Sequence, residues 1–356
     1  MDISTMPDLN IGDIADAAGV SRATVSRVIN GSPLVKAKTV ALVRAAIEKL
    51  GYVRPSVRPG PKPRATHPQR LRSGSIALIS IGGSGALFQE PIMASLVEQI
   101  QSTCRARQLN LLLDQMTSTD QIPLCVETRQ VDAAILLVSG RPANRRECIT
   151  KLAGMIPCVH IFAPGHPIFS VDHVTVNDVA VGDMAFRTLK DAGCQSMALV
   201  NASSFFLEAL YVRGRAFTDR AQLETIPTHV FASKNLYSNP TNFWPQPLSI
   251  FEDFKTVASA IRSMPKPVGV FLTLESHAPQ LHAALREEGL LDDGSVKLTI
   301  AGTTPFFVKD LQPAPLLIDL SFSEIIDVAV DRLIHRANHM PTQILTFLVP
   351  PKIAAL

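Results

Sequence analysis

The chain has 356 residues, 46% of them hydrophobic and 18% charged, which is long for one core and predicts two or three domains. Its net charge of +3 is unevenly spread: residues 1–72 hold twelve Lys and Arg against five Asp and Glu, a net of +7, so the remainder carries −4. A basic head on a mildly acidic body is the footprint of a nucleic-acid binder with a separate regulatory part, and the lack of any apolar run of spanning length argues against a membrane protein.

The opening segment, MDISTMPDLN, shows no charged region followed by an apolar stretch, so a cytoplasmic protein is expected. From there Ile11, Ile14, Ala15 and Ala18 recur at helical spacing and give a first helix one narrow apolar face. Asn10 is placed to cap it, with Asp13 three residues on. Small residues at Ala17, Ala18 and Gly19 let a second helix cross closely. Ser21 is the N-cap of that helix, in which Val25, Val28 and Ile29 face inward. Arg22, Ala23, Ser26 and Arg27 face outward. Such a face suits DNA: arginine reaches guanine O6 and N7 with two bonds, and small hydroxyls hold phosphates. A third helix, roughly 37–50, supplies Val43, Ala46, Ile47 and Leu50 to close a small core.

Taken in full, LNIGDIADAAGVSRATVSRVINGSPLVKAKTVALVRAAIEKLGY closely resembles the DNA-binding head of the lactose-repressor (LacI/GalR) family. The residues that carry the likeness are Asp13-Ile14-Ala15, Ala18-Gly19-Val20-Ser21, Thr24-Val25-Ser26-Arg27-Val28, Asn30, Thr39, Val43, Ala46 and Leu50-Gly51-Tyr52. The resemblance puts Arg22, Ala23 and Arg27 on base-reading positions and Ser21, Thr24, Ser26 and Asn30 on backbone-positioning ones. Lys36 departs from it, standing where the family usually has a serine that caps the third helix. That weakens the cap and adds a charge within reach of a phosphate.

The linker departs further. Five prolines between Arg54 and Pro68 forbid a regular helix, where the family usually carries a short hinge helix with a wedging leucine. Two readings stay open: a solvated polyproline-type spacer, or an extended arm from Arg58 to Arg64, with Arg58, Lys62 and Arg64 entering a narrow A·T-rich minor groove.

From Ser75 onward strands and helices alternate. Strands are expected at about 75–80, 111–114, 133–139 and 157–162, with helices near 91–107, 122–130 and 145–153. A second series of strands follows near 197–200, 268–272 and 297–301. This alternation predicts parallel sheets with helices on both faces and a ligand crevice beyond the strand ends. The five cysteines, at 104, 125, 148, 158 and 194, are scattered, and read as reduced, mostly buried thiols rather than a disulfide or zinc framework.

This body resembles the same family more weakly. Its likeness rests on Val174-Thr-Val-Asn177-Asp178-Val-Ala-Val-Gly182, Arg213-Gly-Arg-Ala-Phe217, Phe271-Leu-Thr-Leu-Glu275 and Ile300-Ala-Gly302-Thr303-Thr304. The resemblance implies an α/β architecture: a helix-turn-helix head at 9–54, a Pro/Arg-rich linker at 55–73, and a two-lobed periplasmic-binding-protein-like body of doubly wound parallel sheets at 74–356. Lobe 1 is expected at about 74–171 plus 304–321 and lobe 2 at about 172–303 plus 322–356, with crossings near Val171, Thr304 and Phe322. Arg213 then falls on an effector-contacting position and Glu275 is the other surviving polar group. Phe162, Leu274 and Thr303-Thr304 stand where relatives supply sugar-binding aspartates, so the hexose-type constellation is not carried over. Trp244, the only tryptophan, sits in a loop where relatives often place a stacking aromatic, and Gln89, in the loop before the helix near 91–107, is a further cleft candidate.

Enzyme readings fail in the sequence. His335 and His339 are spaced i,i+4, but no glutamate follows His335 as in a HExxH zinc site. His160, His166 and His173 cluster near a strand end without a nucleophile motif, and the Gly82-Gly83-Ser84-Gly85 run lacks the Gly-Lys-Ser/Thr of a phosphate loop. The expectation is a homodimeric transcription regulator, a repressor by family habit, that needs no cofactor or metal. It binds an operator in double-stranded DNA and a small-molecule effector, for which a sugar or sugar derivative is the candidate. The rival reading is an architectural A·T-rich DNA-binding protein that keeps its body only to dimerise.

Overall fold

The computed structural model describes residues 11–29, 35–51, 71–82, 91–138, 145–162, 171–202, 207–234, 247–303, 305–339 and 343–354. The chain divides into two compact units, Met1–Lys62 and Pro63–Leu356.

The first unit holds α1 (Ile11–Ala18), α2 (Arg22–Ile29) and α3 (Ala37–Leu50). Ile14, Ala15, Val25, Val43 and Ala46 are its buried core, with Val28, Ile29, Ile47 and Leu50 packed around them. Gly19 takes φ +63° in the turn between α1 and α2, a conformation glycine adopts without steric cost, and Val20 N–H returns to Ala15 O at 3.0 Å. Gly51 ends α3 in the same left-handed conformation. At the other end of α3, Lys36 occupies the cap position without a side-chain cap bond, as expected of a residue lacking a short acceptor.

The second unit runs, in chain order, through β1 (Ser75–Ile81), α4 (Pro91–Ala106), β2 (Asn110–Met116), α5 (Leu124–Glu127), β3 (Ala133–Val138), α6 (Arg145–Ala153), β4 (Cys158–Ile161) and β5 (Asp172–Val176). It continues with α7 (Asp178–Asp191), β6 (Ser196–Asn201), α8 (Leu207–Leu223), β7 (Thr228–Ser233), β8 (Leu248–Phe251), α9 (Phe254–Arg262), β9 (Val268–Leu272) and α10 (Ala278–Glu287). Last come β10 (Val296–Gly302), β11 (Leu316–Asp319), α11 (Phe322–His339), β12 (Thr346–Val349) and β13 (Lys352–Ile353).

These strands form two sheets, of order β12-β5-β4-β3-β1-β2 and β13-β11-β10-β9-β6-β7-β8. All pairings are parallel except β11 with β13. Side-chain alternation builds a core on both faces of each sheet. Ile76 and Leu78 of β1 join the cluster containing Leu96 and Ile100 of α4 and Ala329 and Leu333 of α11. Ala77, Ile79 and Ile81 face the other way, into the cluster with Val126, Ile149 and Leu152. In the second sheet Met197 and Leu199 share a cluster with Phe186 and Phe217, while Ala198 and Val200 share one with Val257, Ile261, Leu281 and Leu285. All five cysteines are free and buried, and burial, the largest influence, raises the thiol of Cys125 to about 12 and that of Cys104 to about 11.

Sheet pairing corrects the expected distribution of segments between lobes. β5 belongs to the first sheet, so the first crossing falls at Asn177, which caps α7 by accepting from Ala180 N–H at 3.1 Å. β11 pairs with β10 in the second sheet, although residues 304–321 were expected in lobe 1. α11 packs against β3, β4 and β5, and β12 pairs with β5, so 322–349 lies with the first sheet rather than the second. For α11 and β12 the physical reason is Asp172. Fully buried, it draws Arg332 and Arg336 of α11 into ion pairs, the latter at 2.8 Å, and accepts Leu345 N–H at 2.9 Å. The helix expected near 122–130 shortens to one turn, Leu124–Glu127, beginning after Pro123.

Candidate nucleic-acid interface and effector cleft

In the head, Ser21 caps α2: its Oγ accepts Thr24 N–H at 3.2 Å and shares a 2.9 Å bond with the Thr24 hydroxyl. This cap directs the helix N-terminus outward with Arg22 and Ala23 exposed beside it and Arg27 exposed one turn on. Thr24 and Ser26 are half-buried at the edge of that face. The partial positive charge of a helix N-terminus adds to the two guanidinium groups, so this end of α2 suits phosphate and base acceptors together. Lys36 is exposed at the start of α3. Asn30, Arg58, Lys62 and Arg64 lie outside the described residues, as do Gln89 and Trp244.

The cleft is built from the two sheets of the second unit. A small crevice is lined by Phe162, Thr175, Val176 and Phe322 from the first-sheet side and by Asp178, Ala209, Arg213, Leu274 and Leu320 from the second. Phe162 and Phe322 lie against each other, ring centroids 4.2 Å apart. Phe162 holds φ +56°, a costly conformation for a bulky residue that the packing of β4 and α11 must sustain.

Arg213 lines the crevice wall, but it is not a free cation. Only 5% exposed, it donates Nε to Asp178 Oδ1 at 2.5 Å and Nη1 to Thr273 O at 3.1 Å. Thr273 in turn donates its hydroxyl to Asn201 Oδ1 at 3.3 Å. Burial, opposed by Arg213, raises the Asp178 carboxyl above the usual carboxylate range. Gly182 makes this geometry possible: a Cβ there would overlap Arg213 O and come within 2.8 Å of Phe217 N and Ala216 Cβ, so only glycine lets α7 and α8 approach so closely.

Glu275 is buried, 1% exposed, and does not line the crevice beside Arg213. Its Oε1 accepts the backbone N–H and hydroxyl of Thr303 at 3.0 and 3.2 Å, which braces the segment after β9 against the end of β10. A Cβ at position 302 would overlap its carboxylate, and burial raises its pKa against the opposing Thr303 bonds. Glu275, grouped in the sequence with Arg213 as a polar group of the effector site, is here a buried brace. The sequence reading missed Asp178 and Thr273 as partners of Arg213, although Asp178 opens the helix after a strand and was quoted for the resemblance alone.

His160 and His173 do not reach the cleft. They stand opposite each other on β4 and β5, 1% and 2% exposed, with ring centroids 5.2 Å apart; His166 lies outside the described residues. His335 and His339 sit on the exposed face of α11. Among the described residues no three His, Cys, Asp or Glu side chains are grouped to hold a metal, and no helix is long and apolar enough to cross a membrane.

A helix-turn-helix head followed by a two-lobed body of doubly wound parallel sheets defines a class: helix-turn-helix proteins with a periplasmic-binding-protein-like body. Residues 10–55 match the family described as bacterial regulatory proteins, lacI family. The chain is 29% identical over 191 residues to the HTH-type transcriptional regulator CelR of Thermobifida fusca, an alignment covering 52% of this chain and 54% of that protein. The chain spans about half the length of the curated relatives it matches. The fold matches a CelR–cellobiose complex (20% identity, TM-score 0.57) and the lac repressor dimer bound to operator and the anti-inducer ONPF (16% identity, TM-score 0.59), each over 98% of both chains.

Proposed function

We propose that the chain is a sequence-specific DNA-binding transcription regulator, acting as a repressor in the cytoplasm, whose interlobe cleft takes a small molecule that changes operator affinity. The observation that carries this reading is α2: a capped helix N-terminus presenting Arg22, Ala23 and Arg27 to the outside, within the stretch that matches the lacI family. In this reading Arg22, Ala23 and Arg27 read bases, Ser21, Thr24, Ser26 and Asn30 position the backbone, and Lys36 meets a phosphate. Arg58, Lys62 and Arg64 form a minor-groove arm. The chain acts as a homodimer, as the operator-bound lac repressor does, and twofold protein symmetry then calls for a roughly palindromic operator. Arg213 is the effector contact supported by the crevice, with Trp244 and Gln89 assigned to the same cleft; Glu275 supports it as a brace.

Selection of binding sites from random duplex DNA, followed by footprinting of the full chain, tests this reading. Two protected half-sites with centres about one helical turn, roughly 34–36 Å, or a multiple of it apart are expected. Salt-sensitive binding to A·T-rich DNA without a defined footprint would instead support a ligand-independent architectural protein.

A further inference from the structure

The C-terminal end of α11 carries two side chains that the regulatory reading leaves unused. His335 and His339 are four residues apart, so helical geometry puts them on one face, and both are exposed. Their ring centroids lie 4.7 Å apart, with the ring planes tilted by 42°.

That spacing is the one a shared metal ion requires. An imidazole nitrogen sits about 2.0–2.1 Å from a bound divalent metal, which puts the ring centroid roughly 3.2 Å from the ion. Two such rings subtending about 90–109° at the metal have centroids about 4.5–5.2 Å apart. The observed 4.7 Å falls inside that window. The glutamate missing after His335 takes away a general base, not a ligand. The pair therefore suits binding without hydrolytic chemistry.

The charges along the helix come close to balance. Arg332 and Arg336 pair with the buried Asp172, two cations against one anion. On the earlier turns Arg107 pairs with Asp327 and Asp331, one cation against two anions. Selection then falls to ligand chemistry, and two imidazoles favour Cu²⁺, Ni²⁺ and Zn²⁺ over Mg²⁺ or Ca²⁺. Burial, Arg332 and His339, in that order, lower the pKa of His335, which favours the neutral ring that a metal needs.

We propose that His335 and His339 form a bidentate site for one divalent transition metal of the Cu²⁺, Ni²⁺ and Zn²⁺ group, with water completing the coordination. Held by both rings, the metal staples the last turn of α11, the helix whose arginines hold Asp172 of β5. A metal that binds the folded helix in preference to the unfolded chain raises the melting transition of the second unit.

The test uses the untagged full chain, freed of metal with a chelator, and titration calorimetry with NiCl₂, ZnCl₂ and MgCl₂. Ni²⁺ and Zn²⁺ should bind saturably and Mg²⁺ should give no binding heat. His335→Gln and His339→Gln should each weaken Ni²⁺ binding about tenfold or more, because a single imidazole loses the chelate advantage. Ni²⁺ should raise the melting transition of the parent chain and leave that of both variants in place, while circular dichroism of the three proteins agrees. Unchanged Ni²⁺ affinity in either folded variant would overturn the proposal. So would a chain that takes up no Ni²⁺, or Mg²⁺ binding as tight as Ni²⁺, which would reassign the site to carboxylates. If a glutamine variant does not fold, alanine at the same position takes its place and is read the same way.

Discussion

The head and the body solve opposite problems with their charged residues. In the head, the charges assigned to DNA sit on the outside of α2 and at the start of α3, held there by a five-residue core and one serine cap. In the body, the charges that matter are inside. Asp172 is fully buried between two arginines of α11, and Arg213 and Asp178 are 5% and 9% exposed. An exposed charge stays available to a partner that arrives later, whereas a buried pair is already spent on the protein's own geometry. The head's exposed charges therefore remain available to a partner, whereas the charged pair in the crevice wall is already matched.

The largest effect should come from breaking the body's internal pairing. Asp172→Ala leaves Arg332 and Arg336 without their buried partner and should cost about 3–5 kcal/mol, read as a lowered melting transition of the second unit. The head's helical transition, measured in the same scan, should stay where it is. A body transition unmoved by this change would show that α11 is held to β5 by apolar packing alone.

Next in size is the head's outer face. Arg27→Ala should weaken binding to the selected operator about ten- to hundredfold and relax preference at one base position, with the body's melting transition untouched. Equal weakening on operator and scrambled duplex would reassign Arg27 to a phosphate contact.

Acid should separate the two units in the same direction. Burial, the largest influence, lowers the pKa of His173, opposed by Asp172. A histidine held neutral in the fold contributes stability that is fully present above its ordinary value near 6.5, and that is lost as pH falls through the lower folded value. Asp172 also titrates low. Burial is its largest influence and acts upward, but Arg332, Leu345 N–H and Arg336 together hold the carboxyl below its ordinary value. Its contribution is present above the ordinary carboxylate value and disappears at still more acid pH. Urea midpoints of the body taken from pH 7 downward should fall first below about 6.5, while His173→Phe should flatten that first decline. The smallest effect is Ser21→Ala, which should cost the head about 1 kcal/mol, seen as earlier loss of helical signal without change in the body.

The same contrast explains what the sequence made legible. The head's roles are local: a cap at Ser21, an outward arginine at the next position and a second one turn later can all be read from spacing. The sheet alternation was legible too, because β1, β3, β6 and β9 are predominantly apolar runs. The crossings between lobes were not. β5 reads DHVTV and β11 reads LLID, and the sheet each joins depends on partners far along the chain, such as β12 pairing with β5. The cleft failed for the same reason. Arg213 was found by its motif, but its neutralisation by Asp178, 35 residues earlier, depends on α7 and α8 meeting at Gly182.

Titrating the full chain against its selected palindromic duplex and a scrambled duplex of equal composition, across a salt series, tests the central claim most directly. The account predicts that the palindrome binds about a thousandfold or more tighter at physiological salt, and that affinity for both falls steeply with salt. Equal affinity for the two duplexes at every salt concentration would contradict it, because the arginines of α2 would then be meeting phosphates alone.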